Sequence, residues 1–246
     1  MQRFSADLHI HSVLSPCADL EMTPRNIIEK AVETGLQIIG ITDHNSTRNA
    51  RVVQTLGKEK GILVLTGAEV SSREEVHCLA FFEESEQQNA FQAFLDENIV
   101  RIPNPDGHFG YQPVVDADEN IEEMIPYYLA AALKRSINEI SRKVAELNGI
   151  FIPAHVNRRM NGLFAQLGFL PPELHFDALG ITGKTIAADI RKEYHLDETI
   201  TLVRNSDAHF PEQIGSSYSV FEMDEASFSE IKLALHQQNK RRVITE

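Results

Sequence analysis

Residues 23–44 read TPRNIIEKAVETGLQIIGITDH. Thr23 followed by Pro24 is an N-cap with proline at the first helical position. From Arg25 to Thr34, a 3.6-residue period puts Ile27, Ile28, Ala31 and Val32 on one face, and Gly35 closes the helix. Leu36 to Thr42 is then a short isoleucine-rich run, the composition of a buried strand. It ends on two ligand-type residues, Asp43 and His44. Repeated strand-then-helix order argues for a parallel α/β fold, in which ligands bind at the carboxyl ends of strands.

The same order continues along the chain. Ser46 to Lys60 has a helical pattern, and Ile62 to Thr66 is an apolar run ending near Glu69. Val76 to Phe82 is a strand with His77 at its start, and Glu84 to Asn98 is helical. Residues 100–120 hold three prolines, two glycines and several aspartates with little periodicity, as in an active-site loop or small insertion. Ile121 to Asn148 is helical in pattern, restarting near Pro126. Gly149–Val156, Ala178–Thr182, Ile200–Asn205 and Ser219–Met223 are strands, with helices at Lys184–Tyr194 and Glu225–Asn239. No internal repeat or low-complexity tract interrupts them.

The chain has 246 residues, a length that suits one α/β barrel or two smaller domains. The formal net charge of −13 disfavours a long, sequence-independent nucleic-acid track. It leaves room for a nucleotide or short oligonucleotide, because bound metal reverses the local sign. Two cysteines, Cys17 and Cys78, make a disulfide framework implausible, and no signal-peptide core or membrane-length apolar run is present. A cytoplasmic protein is the expectation.

Ten histidines are present, and their placement carries the chemistry. His9 and His11 lie two apart on an extended segment, which turns both rings to one face. Asp43-His44, Glu69, His77 and His155 sit at strand boundaries. Asp207 and His209 repeat the i, i+2 spacing after the strand beginning at Ile200. Taken singly, each has an ordinary structural explanation; five strand ends bearing such residues do not. Imidazole and carboxylate form the donor set of hydrolytic zinc, manganese or iron sites, and more than four donors implies more than one ion. No nucleophile elbow, P-loop or dinucleotide fingerprint competes.

The motifs DLHIHS (7–12), TDHN (42–45), GAEVS (67–71), EVHCLA (75–80), PAHV (153–156) and NSDAH (205–209) occur in the order that resembles the PHP (polymerase and histidinol phosphatase) superfamily. The resemblance implies a distorted (β/α)7 barrel forming a single catalytic domain, with a loop-rich insertion near 100–120. It implies two or three divalent ions, of zinc, manganese or iron. His9, His11 and Asp207 would bind one ion; Glu69 would bridge it to a second held by His77 and His155; His44 and His209 would take a third. Asp7 and Asp43 match positions that orient ligands. Where many members have Asp-Gly or a histidine after the first motif, this chain reads Ser15-Pro16-Cys17-Ala18-Asp19. Cys17 is the replacement donor, with Asp19 and Glu21 as alternatives.

The implied activity is hydrolysis of a phosphate ester, of a small molecule or nucleotide, through a metal-activated hydroxide. Asp43 and His209 are the catalytic candidates. Arg48, Arg158 and Arg159 are candidate phosphate clamps, since a guanidinium fork matches phosphate oxygens. Histidinol-phosphate phosphatase, short-oligonucleotide exonuclease and amidohydrolase are the competing enzyme readings. A non-catalytic metal-binding scaffold is the alternative outside catalysis.

Overall fold

In the computed structural model, which describes residues 1–183 and 185–245, helix α1 (Pro24–Glu33) forms as its caps dictate. Thr23 Oγ1 accepts the Asn26 N–H at 3.3 Å, and Gly35 takes φ 74° just past the end. The remaining elements follow in order. They are β1 (Gln2–Ile10), β2 (Ile38–Ile41), α2 (Ala50–Glu59), β3 (Leu63–Ser71), β4 (His77–Phe82), α3 (Ser85–Asn98), β5 (Pro113–Val115), β6 (Ile121–Met124) and α4 (Ile137–Glu146). After them come β7 (Ile150–Pro153), α5 (Leu163–Leu167), β8 (Leu179–Ile181), α6 (Ala187–Tyr194), β9 (Leu202–Arg204), β10 (Ser219–Met223), α7 (Phe228–Leu235) and β11 (Arg242–Ile244). Lys184, the expected first residue of the helix at α6, lies outside the described residues.

A seven-stranded sheet runs β11-β10-β1-β2-β3-β4-β7, and the parallel pair β8-β9 bridges its open side. Val156 N–H donates to Gly180 O at 2.8 Å, joining the end of β7 to β8. His11 N–H donates to Ala208 O at 3.0 Å, joining the segment after β9 back to β1. The ring β1-β2-β3-β4-β7-β8-β9 is thus a distorted seven-stranded barrel inside a mixed α/β fold. One expectation is corrected: the barrel is not wholly parallel. Strand β4 pairs antiparallel with both β3 and β7, and β10 pairs antiparallel with β1. The β3–β4 connection spans only residues 72–76, too short for a parallel crossover.

Alternate residues fill the barrel. Ala6, Leu8, Ile38, Leu65, Leu79, Phe81, Ile150, Ile152 and Val203 form one buried cluster. Gly40 and Gly67 lie on the same faces, and a Cβ at either would stand 2.8 or 2.7 Å from the Phe81 ring. Glycine there is what lets that ring occupy the centre. Outside, Ile39, Ile41 and Val64 pack with Ile27, Ile28 and Ala31 of α1 and Val53 of α2.

The segment 121–148 corrects a second expectation. Ile121–Met124 is strand β6, paired with β5, and only Ile137–Glu146 is helical. Pro126 disfavours helix at Ile125, while Ser136 and Glu139 form a reciprocal capping box that starts α4. Residues 126–135 are a loop instead, and they wall the cavity described below.

Candidate metal centre

Strand parity and its local breaks aim the candidate donors. On β3, Leu65, Gly67 and Glu69 share the inward face, so Glu69 stands one step above the packed core. Because β4 runs antiparallel, its first residue, His77, lies at the same rim as the other strands' last residues. On β1 the pattern must shift: Ala6 and Leu8 face inward, yet Ile10 belongs to the outer cluster. A register irregularity between Asp7 and Ile10 produces the shift, and a bulge of this kind re-aims side chains beside a site. His9 and His11 turn inward as a result. His155 and Asp207 adopt φ 30° and 55°, left-handed backbone that non-glycine residues avoid unless the surroundings impose it.

These residues converge on one buried cluster. Glu69 Oε1 lies 2.9 Å from His77 Nδ1, 3.0 Å from His155 Nε2 and 3.2 Å from His9 Nε2. Its Oε2 lies 3.1 Å from His44 Nδ1 and 3.4 Å from His11 Nε2. Asp207 Oδ1 lies 3.2 and 3.3 Å from the Nε2 atoms of His9 and His11, which are themselves 3.1 Å apart. Three overlapping groups result: His9, His11, Glu69 and Asp207; His44, Glu69 and His77; His11, His44 and His209.

The donor set fits divalent metal. Donor atoms about 2.0–2.2 Å from a common ion stand roughly 3–3.5 Å from one another, the spacing seen here. Among the described residues, Nδ1 of His44 and of His155 is buried without a hydrogen-bond partner, although His44 Nδ1 is 3.1 Å from Glu69. Such closeness without hydrogen-bond geometry is expected of two ligands that share an ion. Protonation agrees. Burial lowers His44 and His155, and burial aided by His209 lowers His11 to about 4, so these rings are neutral donors. Burial would raise Glu69, but the imidazoles of His77, His9 and His44 hold it well below its usual value. His9 and His11 likewise hold Asp207 down against burial. For His9, burial is outweighed by Glu69 and Asp207, which raise it to about 9.

That proton has a measurable consequence. Metal needs His9 neutral, whereas the metal-free protein keeps it protonated below about pH 9. Loading is therefore expected to release about one proton from His9, with affinity rising up to about tenfold per pH unit and levelling above that value. Calorimetric titration in buffers of different ionisation enthalpy measures the release; affinity independent of pH between about 6 and 8 would contradict it.

Asp43 lies behind the donors. Its carboxylate accepts Ser12 N–H at 2.7 Å, Ser12 Oγ–H at 2.6 Å and Ser15 Oγ–H at 2.7 Å. Both Asp43 oxygens are thus engaged by Ser12 and Ser15, and Asp43, the expected catalytic residue, does not line the cavity described below. Ser15 Oγ spends its proton on Asp43, so it accepts from His11 Nδ1 at 2.9 Å and leaves Nε2 as the donor toward metal. Asp7 accepts Ser206 N–H and Gly215 N–H, each at 3.0 Å, and so fixes the loop bearing Asp207 and His209. His209 Nδ1 lies 2.8 Å from Asp207 O, leaving Nε2 for the cluster.

A cavity of about 450 Å³ opens over the donors, walled by Tyr128, Met160, Asn161 and Arg158. Cys17 lines its mouth but joins none of the three donor groups. Desolvation and the Glu69 carboxylate push its thiol up to about 12, so ligation by Cys17 would require metal to displace that proton. Asp19 turns away to accept Glu21 N–H at 2.8 Å. Arg158 Nη1 lies 2.7 Å from Asp207 Oδ2, at the cavity wall. Arg48 is corrected: its guanidinium pairs with both oxygens of Asp96 on α3, at 3.0 and 2.8 Å, and is absent from the wall. Arg159 is exposed and also absent from the wall. Ser12, Ser15 and Asn45 are site residues that motif reading passed over. Asn45, at φ 44°, donates to Leu129 O and Ala131 O at 2.7 and 2.8 Å and so holds the Tyr128 loop.

Comparison with known proteins adds the lineage. Residues 7–98 match the PHP domain model, and residues 189–239 match the PHP-associated model. The chain belongs to the PHP superfamily. Seven of the eight candidate metal-binding histidines and carboxylates other than Cys17 fall either inside the PHP domain match (His9, His11, His44, Glu69, His77) or inside the PHP-associated match (Asp207, His209); His155 lies between them. The uncharacterised protein YqxK of Bacillus subtilis is 23% identical across 99% of this chain and 65% of its own length. A 66-residue stretch, 27% of this chain and 24% of the relative, is 33% identical to the phosphoribosyl 1,2-cyclic phosphate 1,2-diphosphodiesterase of Eggerthella lenta. The lesion-specific endonuclease PfuEndoQ from Pyrococcus furiosus superposes with TM-score 0.76 and 23% identity, over 98% of this chain and 58% of that one. That likeness is one of fold. The chain spans less than two thirds of the length of each of these relatives.

Proposed function

We propose that this PHP domain is a metal-dependent phosphoesterase, and one observation carries the reading. Six histidines, Glu69 and Asp207, from six separate points in the chain, bring their donor atoms together in one cluster at the floor of an open cavity. In this reading His9, His11 and Asp207 would hold one ion, His77 and His155 would hold a second with Glu69 serving both, and His44 and His209 would take part in a third. Metal bound there would lower the pKa of water and neutralise charge developing on phosphate.

The chain's own groups do the rest. The Asp43–Ser15 pair fixes the His11 tautomer, and Asp7 holds the Asp207–His209 loop in place. Arg158, half of whose surface is open, can leave Asp207 Oδ2 for a substrate phosphate oxygen. Its replacement by methionine is expected to raise KM about tenfold with a smaller change in kcat, because the lost contact forms on binding. Steady-state kinetics separates the two, and an unchanged KM would remove Arg158 from substrate recognition.

The first test of the whole reading is elemental analysis beside turnover of p-nitrophenyl phosphate and bis-p-nitrophenyl phosphate with added manganese. Two or more ions per chain and turnover of either ester support it. No ion retained or regained would overturn it.

A second reading, cleavage of nucleic-acid phosphodiesters at damaged positions, is favoured by the fold likeness across 98% of the chain to PfuEndoQ. Endonuclease Q has also been solved with a 27-mer duplex carrying an abasic lesion at the active site. The formal charge of −13 weighs against a broad duplex-binding face on this domain alone. Incubation with a duplex containing one abasic site decides it: a discrete cut supports the nuclease, and an intact duplex with ester turnover supports the small-substrate enzyme.

A further inference from the structure

A second cavity, of about 460 Å³, is lined by residues of β1, β9, β10 and β11, by Gly183 after β8 and by the turn that leads into β10. It shares no lining residue with the metal centre. Its wall holds Arg3, Arg204, Ser5, Ser216, Ser217 and Tyr218, and among the described residues no carboxylate lines it. In a chain with a formal charge of −13, two arginines and four hydroxyls without an acid are unexpected. Glu222, outside the wall, takes Arg3 Nε at 2.9 Å but is shared with Arg242, so the Arg3–Arg242–Glu222 group keeps a net positive charge and Arg3 keeps its Nη donors.

The polar groups here are also incompletely used. Arg204 Nη2 donates to Thr185 O at 2.7 Å, but its Nε is buried with no partner among the described residues. Ser217 Oγ is likewise buried with no partner among the described residues. Leaving buried polar groups unpaired is costly, so such positions call for an occupant. Gly183 permits the arrangement: a Cβ there would stand 2.8 Å from Ser217 Oγ, filling the space beside it.

We propose that this cavity is a binding site for the phosphate group of a small phosphorylated molecule, distinct from the metal centre. Donors from two guanidinium groups and several hydroxyls, approaching from different strands, suit a tetrahedral oxyanion better than a planar carboxylate. The volume exceeds that of bare phosphate and lies in the range of small-ligand sites. Tyr218, at the mouth, offers a face for a sugar or base. Arg204 precedes Asp207 by three residues, so an occupant would bear directly on the segment that carries a metal-centre residue. The site does not depend on the hydrolase reading.

The test is calorimetric titration of the full chain, stripped of metal by chelation, with inorganic phosphate, adenosine 5′-monophosphate and a short single-stranded oligonucleotide. Saturable phosphate binding is expected, weakened at least about tenfold by Arg204→Met. Ser217→Ala, whose hydroxyl holds no other group, is expected to weaken it about threefold without altering Tm, which guards against misfolding of the arginine variant. Arg158→Met should leave it unchanged. Stronger Arg204-dependent binding of the mononucleotide supports a free phosphorylated ligand, and stronger binding of the oligonucleotide supports the phosphate site with a nucleic-acid backbone as its source. Binding that survives Arg204→Met and Ser217→Ala but is lost in Arg158→Met places phosphate over the metal centre and overturns the proposal. So does the absence of binding up to roughly 10 mM phosphate.

Discussion

Glu69→Gln is expected to lower phosphate-ester turnover at least about a hundredfold and to reduce the metal retained per chain. Glutamine is nearly isosteric, so packing around a side chain that is 1% exposed should survive. What changes is charge and the number of acceptor atoms. Glu69 places Oε1 near His9, His77 and His155 and Oε2 near His11 and His44, so both oxygens serve the cluster. An amide offers one acceptor and turns two N–H donors toward imidazole nitrogens that must themselves donate to metal. His9 also loses the first of the two carboxylates that raise it to about 9. Its basicity should fall, and with it the proton released on metal loading. Three readouts therefore move together: turnover, metal content and proton release. Full turnover and full metal content in this variant would mean that Glu69 is only a buried structural carboxylate.

The residues that make Glu69 central were legible in the sequence; the geometry that makes them converge was only partly so. The caps of α1, the isoleucine-rich β2 and the recurrence of His, Asp and Glu at strand ends follow from local rules, and local contacts form them. The antiparallel entry of β4 needed a different inference. Its connection from β3 is too short for a crossover, and that length alone places His77 at the same rim as His44 and His155. Ser136 and Glu139 spelled a capping box that would have placed the start of α4. By contrast, the β1 irregularity that turns His9 and His11 inward has no local signature, since Leu8 and Ile10 look alike in sequence and face opposite sides. Arg48 shows the same limit. Only the tertiary placement of Asp96 on α3 tells a structural guanidinium from one poised for phosphate.

Asp43→Ala is expected to weaken metal binding about 10- to 100-fold, although Asp43 has no atom in the cavity. Its role passes through Ser15. With the carboxylate present, the Ser15 hydroxyl proton points to Asp43, and His11 must carry its own proton on Nδ1 to satisfy the 2.9 Å contact. Nε2 then has a free lone pair facing Glu69 and Asp207. Without the carboxylate, the serine can donate to Nδ1 instead, moving the imidazole proton to Nε2, where it blocks coordination. Asp43→Asn keeps an oxygen for Ser15 and should cost less than alanine. Ser15→Ala removes the same link from the other side and should also lower affinity. Nitrogen chemical shifts of His11 separate this account from simple loss of packing: the metal-free wild type should carry its proton on Nδ1, and Asp43→Ala should shift the population toward Nε2. A folded Asp43→Ala protein with weakened metal but an unchanged His11 tautomer would instead mean that Asp43 acts by holding the 12–15 loop, through its contacts to Ser12, with no influence on the ring.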